Sequence, residues 1–183
     1  RAQDQATPLT KTLLNQLLNN CDSSIMGKRN QVLLRLGYET MRRRSELCTF
    51  KFQDVDSAPN GKPIIRLNFS KTDQYGTGKV IPISEELLNL LETWKETVGD
   101  EENILRSINK HGHIGDSLNP ASISPILKKL QEGLKPGSNQ QPLSGHSFRV
   151  GAALDLLEQG EPLEKIMLRG GWQTDSTAMK YLR

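Results

Sequence analysis

LSGHSFRVGAALDLLEQGEPLEKIMLRGGWQTDSTAMKYLR, residues 143–183, contains four side chains that stand out chemically: His146, Arg149, Trp172 and Tyr181. The Ala- and Leu-rich residues that follow Arg149 predict a helix. His146 and Arg149 are three positions apart, so we expect both on one helix face. An imidazole beside a guanidinium suits a tetrahedral oxyanion, because the guanidinium donates two parallel hydrogen bonds and the imidazole can also transfer a proton. The pair therefore indicates a site for phosphate.

A turn separates the two aromatic side chains of this segment. The Gly-Gly pair at 170–171 ends a predicted helix. Thr174 or Asp175 can then cap a last short helix that contains Tyr181. Trp172 and Tyr181 are therefore expected on either side of the turn. Any one of the four side chains, taken alone, is more simply explained as an ordinary core or surface residue.

Together, the four side chains form a pattern. The segments GHSFRVGAA, GGW and YLR place them 3, 23 and 9 positions apart in succession. This pattern resembles the C-terminal motif of the tyrosine recombinase (phage integrase) family, in the subset of members that have Trp where many relatives have a second His. The resemblance implies that His146, Arg149, Trp172 and Tyr181 are catalytic residues.

Three consecutive arginines, residues 42–44, form a second cluster of interest. They precede a short predicted helix that Ser45 can cap, with Glu46 in its first turn. Neighbouring residues cannot all share one face, so at most one or two of the arginines can converge on a single site.

The family resemblance extends to this cluster. The family's segment reads R-x-S-E-L-x-x-L-x-x-x-D, and residues 43–47 of this chain read RRSEL. By that resemblance Arg43 is the first catalytic arginine, and Glu46 is the acidic residue that supports the site. We interpret Arg42 and Arg44 as unspecific contacts to phosphate.

Residues 62–69 and 78–84 show the apolar alternation of β-strands and are separated by a turn that contains Gly, Asp and Thr. The pattern predicts a β-hairpin. The family resemblance implies that the loop of this hairpin delivers a mobile lysine into the DNA minor groove at the cleavage site. Lys71 fits that role best, and Lys79, which opens the second strand, is the alternative. A lysine in a β-turn is ordinarily exposed and inert, so the assignment rests on the resemblance.

Hydrophobic spacing and capping residues predict helices in most of the remaining chain. In addition to the short helix at Ser45, they are expected over about residues 10–20, 26–40, 84–97, 119 or 122 to 134, 149–158 and 163–169. The fold class is therefore α+β, mainly α-helical, with a small antiparallel β-hairpin or sheet. This prediction agrees with the catalytic core fold that the resemblance implies.

The whole-chain charge is only mildly basic, with a net charge of +3 over 183 residues and a pI near 8.9. It does not establish a nucleic-acid partner by itself. Cys21 and Cys48 are far apart and lack metal-binding spacing, which favours reduced thiols in an intracellular protein. No apolar run approaches the length of a membrane span. We therefore expect a soluble, cytoplasmic, nucleoid-associated protein without a membrane partner.

Metal and cofactor motifs are weak. His111 and His113 form a tempting pair, but Asp116 is the only candidate third ligand nearby and glycines surround the pair. We predict a loop there. The sequence also lacks the Asp and Glu cluster typical of a two-metal nuclease. We therefore expect no metal and no cofactor.

Cutting a phosphodiester without a metal requires a nucleophile, positive charge on the pentacoordinate oxygens and an acid for the leaving 5′-oxygen. The resemblance implies that Tyr181 is the nucleophile. The resemblance also implies the roles of the other residues. Arg43 and Arg149 neutralise the non-bridging oxygens, and Trp172 donates a hydrogen bond through its indole N–H. His146 assists proton transfer, and Lys71 is the acid. The predicted activity is a metal-independent DNA strand transferase that performs site-specific recombination, in integration, excision or resolution, through a covalent 3′-phosphotyrosine.

Family members normally carry an N-terminal helical domain, so we predict that residues 1–9 are a linker from such a domain and residues 10–183 the catalytic domain. The expected partner is double-stranded DNA, with a tetramer on DNA for the full-length protein and a monomer for these residues alone. One alternative is a type IB topoisomerase, whose corresponding pair usually begins with Lys or Arg instead of His146. The other is a DNA-binding module that has lost cleavage.

Overall fold

A computed structural model describes residues 6–68, 78–134 and 141–172. Within these ranges the elements are α1 (Lys11–Asn19), α2 (Ile25–Thr40), α3 (Arg44–Leu47), β1 (Val55–Ser57), β2 (Pro63–Leu67), β3 (Lys79–Pro82), α4 (Glu85–Val98), α5 (Ile123–Glu132), α6 (Ser147–Glu158) and α7 (Leu163–Gly170). Short 3₁₀ helices, Phe52–Asp54 and Pro120–Ser122, precede β1 and α5. The predicted α+β, mainly helical fold class is confirmed. In the part of the chain that the structure describes, no helix is long and apolar enough to cross a membrane.

Serine side chains cap two of the longer helices. Ser24 Oγ accepts a hydrogen bond from the backbone N–H of Gly27 at 3.0 Å at the start of α2. Ser84 Oγ accepts from the N–H of Leu87 at 3.0 Å at the start of α4, where the sequence predicts a cap. Each bond satisfies an N–H group that has no partner within its helix, which typically stabilises a protein by about 1 kcal/mol.

Helix α2 lies at the centre of the hydrophobic core. Its Val32, Leu33 and Leu36 are fully buried, and it packs against α1, α4 and α6. At Gly37 the backbone of α2 lies so close to α6 that an added Cβ would be 2.6 Å from the ring of Phe148. The glycine therefore permits the close packing of α2 against the helix that follows His146.

The core begins before the first helix. Leu9 is fully buried, and its backbone N–H donates to the carbonyl oxygen of Ser147 at 2.9 Å. Gly151 lies directly against the Leu9 backbone, where a Cβ would overlap the Leu9 carbonyl. The residue at position 9 thus packs on the first turns of α6. The division into a linker and a catalytic domain remains a prediction.

The three strands form one antiparallel sheet in the order β1-β2-β3. Ile65 of β2 pairs with Ile81 of β3, and both are buried. The predicted hairpin is therefore confirmed, with shorter strands than the sequence suggests. The strand β1 is an addition to the prediction, because its three residues contain one apolar side chain. Val55 becomes part of the sheet by pairing with Ile65.

The connection from α4 to α5 is held by a buried arginine. Arg106 is 4% exposed, and its guanidinium donates to three backbone carbonyl groups. His111 and His113, in the same connection, are exposed. Within the described ranges, no group of three or more His, Cys, Asp or Glu side chains is placed to hold a metal ion.

Candidate active site

The start of helix α6 contains His146 and Arg149, the two residues from which the sequence predicts a phosphate site. His146 is the N-cap residue and is exposed, whereas Arg149 in the first turn is only 6% exposed. The helix starts two residues earlier than predicted, at Ser147, whose Oγ accepts from the N–H of Ser144 at 2.9 Å. The positive end of the helix dipole favours an anion at this end of α6.

The structure joins Arg149 to the turn that follows α7. Its guanidinium donates a hydrogen bond to the carbonyl oxygen of Gly170 and lies 4.9 Å from the centre of the Trp172 ring. Gly171 has φ of +74°, in the left-handed region, and ends α7. Trp172 is thereby turned back over Gly170, where a Cβ would overlap its ring. Two of the predicted site residues, Arg149 and Trp172, are therefore in direct contact.

The starts of α3 and α6 also meet. The side chain of Arg44 lies against Gly145, where an added Cβ would be 3.2 Å from the Arg44 Cβ. Partial burial, and then the positive charges of Arg149, Arg44 and Arg43 in decreasing order, lower the pKa of His146 below its usual 6.5. His146 is thus within electrostatic range of Arg149 and Arg43, and the catalytic roles of the three residues remain predictions.

Glu46 contacts Arg43 through the backbone. Its Oε1 accepts a hydrogen bond from the backbone N–H of Arg43 at 3.0 Å. Arg43 is therefore the N-cap residue of α3, and Ser45, predicted to be the cap, lies inside the helix. The Arg43 side chain is exposed. The capping bond thus fixes the backbone from which this guanidinium extends, and the supporting role of Glu46 remains a prediction.

The position of Arg42 differs from the one that the sequence suggests, because its side chain is buried. It is 4% exposed, and its guanidinium donates to the carbonyl of Thr40 at 2.9 Å and to the carbonyl of Arg169. Both Nε and Nη2 are engaged by backbone carbonyl groups, so Arg42 is a contact within the fold and not the unspecific contact to phosphate that the sequence suggests. Burial is the main cause that lowers the pKa of Arg42. The sequence shows that three adjacent arginines must diverge, but it does not show which of them turns inward.

Lys79, the first residue of β3, contacts the C-terminal end of α7. Its Nζ donates to the carbonyl oxygens of Leu168 at 2.5 Å and Arg169 at 3.4 Å. Partial burial, followed by the positive charge of Arg42, lowers the pKa of Lys79 to about 8. From its sequence position Lys79 is the alternative proton donor. Its contact with α7 joins residues about 90 positions apart, which no local pattern predicts.

Two predicted site residues lie outside the described ranges. These are Lys71, in the connection between β2 and β3, and Tyr181, nine positions after Trp172. Their catalytic roles remain predictions.

The described side chains form one positively charged site. Most of the charged groups that interact here are positive, and Glu46 is the one carboxylate among these interactions in the described chain. The positive groups are Arg42, Arg43, Arg44, Lys79, Arg149 and Arg169. Several guanidinium groups around a helix N-terminus can bind phosphate oxygens with charge-assisted hydrogen bonds. The arrangement therefore suits a phosphodiester and the extra negative charge that develops when it is attacked.

The chain belongs to the phage integrase family, which matches residues 8–183. It is similar to the recombinase Cre of Escherichia phage P1, with 30% identity over 195 residues, and to the tyrosine recombinase XerA of Pyrococcus horikoshii, with 29% identity over 181 residues. These alignments cover 98% and 96% of this chain and 57% of each relative. The family assignment made from the motifs is thus confirmed, and the chain spans little more than half the length of these relatives.

The fold is similar to those of two solved structures. The crystal structure of XerA recombinase has a TM-score of 0.75 and 18% identity, and the match covers 100% of this chain and 61% of that chain. The crystal structure of a lambda integrase dimer bound to a COC′ core site has a TM-score of 0.72 and 19% identity, covering 100% of this chain and 49% of that chain. At these identities the likeness concerns the fold.

Proposed function

We propose that this chain is the catalytic domain of a site-specific DNA recombinase, which cleaves and rejoins strands through a covalent 3′-phosphotyrosine. The observation that supports this most is the position of Arg149, buried between the Gly170 carbonyl and the Trp172 ring at the N-terminal end of α6. Arg43 and Arg44 add positive charge around it, and His146 lies within electrostatic range of all three arginines. The substrate is double-stranded DNA.

In the cleavage step the phenolic oxygen of Tyr181 attacks the phosphorus, and the bond from phosphorus to the 5′-oxygen breaks. The electron pair of that bond goes to the 5′-oxygen, which receives a proton from Lys71. The phenolic proton is taken up with the help of His146, whose lowered pKa favours the neutral imidazole that can accept a proton. The products are a 3′-phosphotyrosine and a free 5′-hydroxyl group.

Charge stabilisation is the role of the arginines. The pentacoordinate state places extra negative charge on the two non-bridging oxygens, and guanidinium groups can donate to both. Glu46 accepts a hydrogen bond from the backbone N–H of Arg43 and the Arg43 side chain is exposed, so this guanidinium is available to the DNA. Arg149 is fixed by Gly170 and Trp172, which reduces the reorganisation needed when the transition state forms.

Strand exchange follows from the type of intermediate. A phosphotyrosine ester retains the free energy of the broken bond, so a 5′-hydroxyl from another duplex can attack it and restore the phosphodiester without ATP. We propose that the step uses no metal, because the positive charge of the side chains performs that task. In the full-length protein we propose a tetramer assembled on DNA.

Covalent capture tests the proposal. The chain is incubated with a random-sequence library of nicked duplexes in which the cleaved strand loses a short 5′-hydroxyl fragment and cannot be rejoined. We expect DNA attached to Tyr181 by a 3′-phosphate, with a shared sequence around the cleavage point and undiminished yield in EDTA. Tyr181→Phe is the matched control, which should bind DNA but capture none, since it lacks the nucleophilic oxygen.

The same experiment separates the alternatives. An adduct on another residue contradicts the site assignment, and no adduct on any duplex indicates a binding module without cleavage. A topoisomerase would give adducts without a shared sequence and would relax plasmids of any sequence. His146 favours the recombinase over the topoisomerase, because the corresponding topoisomerase position usually carries Lys or Arg.

A further inference from the structure

Three cationic side chains converge on the C-terminal end of α7. Lys79 donates to the carbonyls of Leu168 and Arg169, Arg42 donates to that of Arg169, and Arg149 donates to that of Gly170. We call Lys79, Arg42 and Arg149 the cation cluster. The last carbonyl groups of a helix lack partners within the helix and carry the negative end of its dipole. The cation cluster thus binds the helix end that leads into Trp172.

The three cations come from different parts of the fold. Arg42 follows α2, Lys79 begins β3, and Arg149 is in the first turn of α6. The end of α7 is therefore the place where the hairpin, the central helix and the start of α6 are joined. Since Gly171 and Trp172 follow immediately, the position of the end of α7 determines where the Trp172 ring lies against Arg149.

Lys79 is placed there at an electrostatic cost. The charged groups around its ammonium are Arg42 after α2, Glu46 on α3, Arg149 on α6 and Arg169 on α7, so positive charge predominates. A lysine side chain is long and flexible and usually extends into water. Instead of extending into water, the ammonium donates to two carbonyl groups of α7, and these contacts show what it holds.

We propose that Lys79 is a positioning residue, whose ammonium group holds the C-terminal end of α7 beside Arg42 and thereby keeps Trp172 against Arg149. The part of this proposal that concerns catalysis rests on the proposed recombinase function. The part that concerns the position of Trp172 rests on the contacts alone. It also assigns Lys79 a role other than proton donation to the leaving oxygen, because its Nζ donates to the carbonyls of α7.

The first test is independent of DNA and uses the indole N–H signals of the two tryptophans in a nitrogen–proton NMR spectrum. Trp172→Phe identifies the Trp172 signal, and the Trp94 signal is the internal control. Lys79→Ala should displace the Trp172 signal at pH 7 and leave the Trp94 signal in place. In the unsubstituted protein the Trp172 signal should shift with a midpoint near pH 8, the pKa to which burial and Arg42 lower Lys79. Lys79→Arg should remove that shift, because a guanidinium stays charged in this range.

The second test separates positioning from proton donation, with a duplex of the captured sequence in which sulfur replaces the bridging 5′-oxygen. A thiolate leaves without a proton donor, so loss of an acid is rescued by sulfur, whereas loss of positioning is not. We expect Lys79→Ala to lower the capture rate at least tenfold on both the oxygen and the sulfur duplex. Lys79→Arg should restore most of the rate on both.

Two results overturn the proposal. One is an unmoved Trp172 signal in Lys79→Ala, which shows that Lys79 does not position the end of α7. The other is rescue of Lys79→Ala by the sulfur duplex, which shows that Lys79 is the acid. If the unsubstituted chain captures no DNA, the proposed function fails, and the NMR comparison still decides the positioning.

Discussion

The guanidinium of Arg149 lies 4.9 Å from the centre of the Trp172 ring and donates to the carbonyl of Gly170, two residues before that tryptophan. A cation over an aromatic face stabilises by about 0.5–2 kcal/mol, with the larger values in desolvated sites. Both groups are nearly buried, at 6% and 9% exposed. The tryptophan therefore covers the guanidinium and limits the directions in which it can point.

Replacing Trp172 should affect both stability and capture. Trp172→Ala removes a large buried side chain and should destabilise the fold by about 3–5 kcal/mol. It should also slow capture, because Arg149 loses the ring that restrains it. Trp172→Phe keeps an aromatic face and should lose less in both respects. Urea unfolding gives the free energy, and single-turnover capture on the nicked duplex gives the rate.

Trp94 provides the matched control. Its Nε1–H donates to the carbonyl of Ile104 at 2.7 Å, away from the cation cluster. Trp94→Phe leaves that buried carbonyl without its donor and should cost about 1–3 kcal/mol, with capture per folded molecule unchanged. If Trp94→Phe slows capture as much as Trp172→Phe, the effect at Trp172 reflects general loosening of the fold.

Gly37 tests the packing between α2 and α6. In Gly37→Ala the new methyl group meets the ring of Phe148, so we expect a loss of about 1–3 kcal/mol in the free energy of unfolding. A smaller partner should relieve the clash. The double variant with Phe148→Leu is therefore expected to be more stable than the sum of the two single changes indicates. Strictly additive losses in urea unfolding would contradict the contact.

The lowered pKa of Lys79 predicts how stability changes with pH. Lys79 has a pKa of about 8 when folded against an ordinary value of 10.5. Between these values the unfolded chain binds more protons, so this residue makes the free energy of unfolding rise with pH from about 8 to about 10.5. Urea unfolding of the unsubstituted protein and of Lys79→Met should show a difference that changes in this window.

Comparing the two proteins also cancels the contribution that other titrating groups make to the pH dependence of stability. Burial raises the pKa of both Cys21 and Cys48 to about 11, which makes stability fall with pH above the ordinary thiol range. Both thiols are present in the two proteins, so their contribution is common to both. A difference between the proteins that stays constant from pH 7 to pH 10.5 would show that the Lys79 pKa is not lowered.

The sequence predicts this fold well where the signals are local. The cap at Ser84, the hairpin and the start of the last described helix depend on residues close together in the chain, and each is found near its predicted place. The short strand β1 is missed because three residues with one apolar side chain give little periodicity. Its place in the sheet comes from pairing with β2, which is a tertiary effect.

The site shows the same division between local and long-range signals. Motif spacing identifies His146 and Arg149, which the structure places at one helix end. The inward position of Arg42 depends on a carbonyl 127 positions away, and that of Lys79 on carbonyls about 90 positions away. A single sequence does not report such distances. The interpretation of Arg42 as an unspecific contact to phosphate is therefore wrong.

The assignment of Lys71 as the acid leads to a last prediction about roles within the site. The departing 5′-oxygen is a poor leaving group near neutral pH unless it receives a proton. Lys71→Ala should therefore capture ordinary DNA very slowly. With sulfur in place of the bridging oxygen the leaving group is a thiolate, whose pKa is about 8.5 by analogy with cysteine, and capture should recover.

Arginine variants serve as the comparison on the same pair of duplexes. Arg43→Ala and Arg149→Ala remove charge from the non-bridging oxygens, which sulfur at the bridging position does not replace, so they should recover much less. Rescue of Lys71→Ala alone therefore identifies the proton donor. If Lys71→Ala remains inactive on sulfur while Lys79→Ala recovers, the acid is Lys79. In that case the ammonium must leave the carbonyls of α7 when DNA binds.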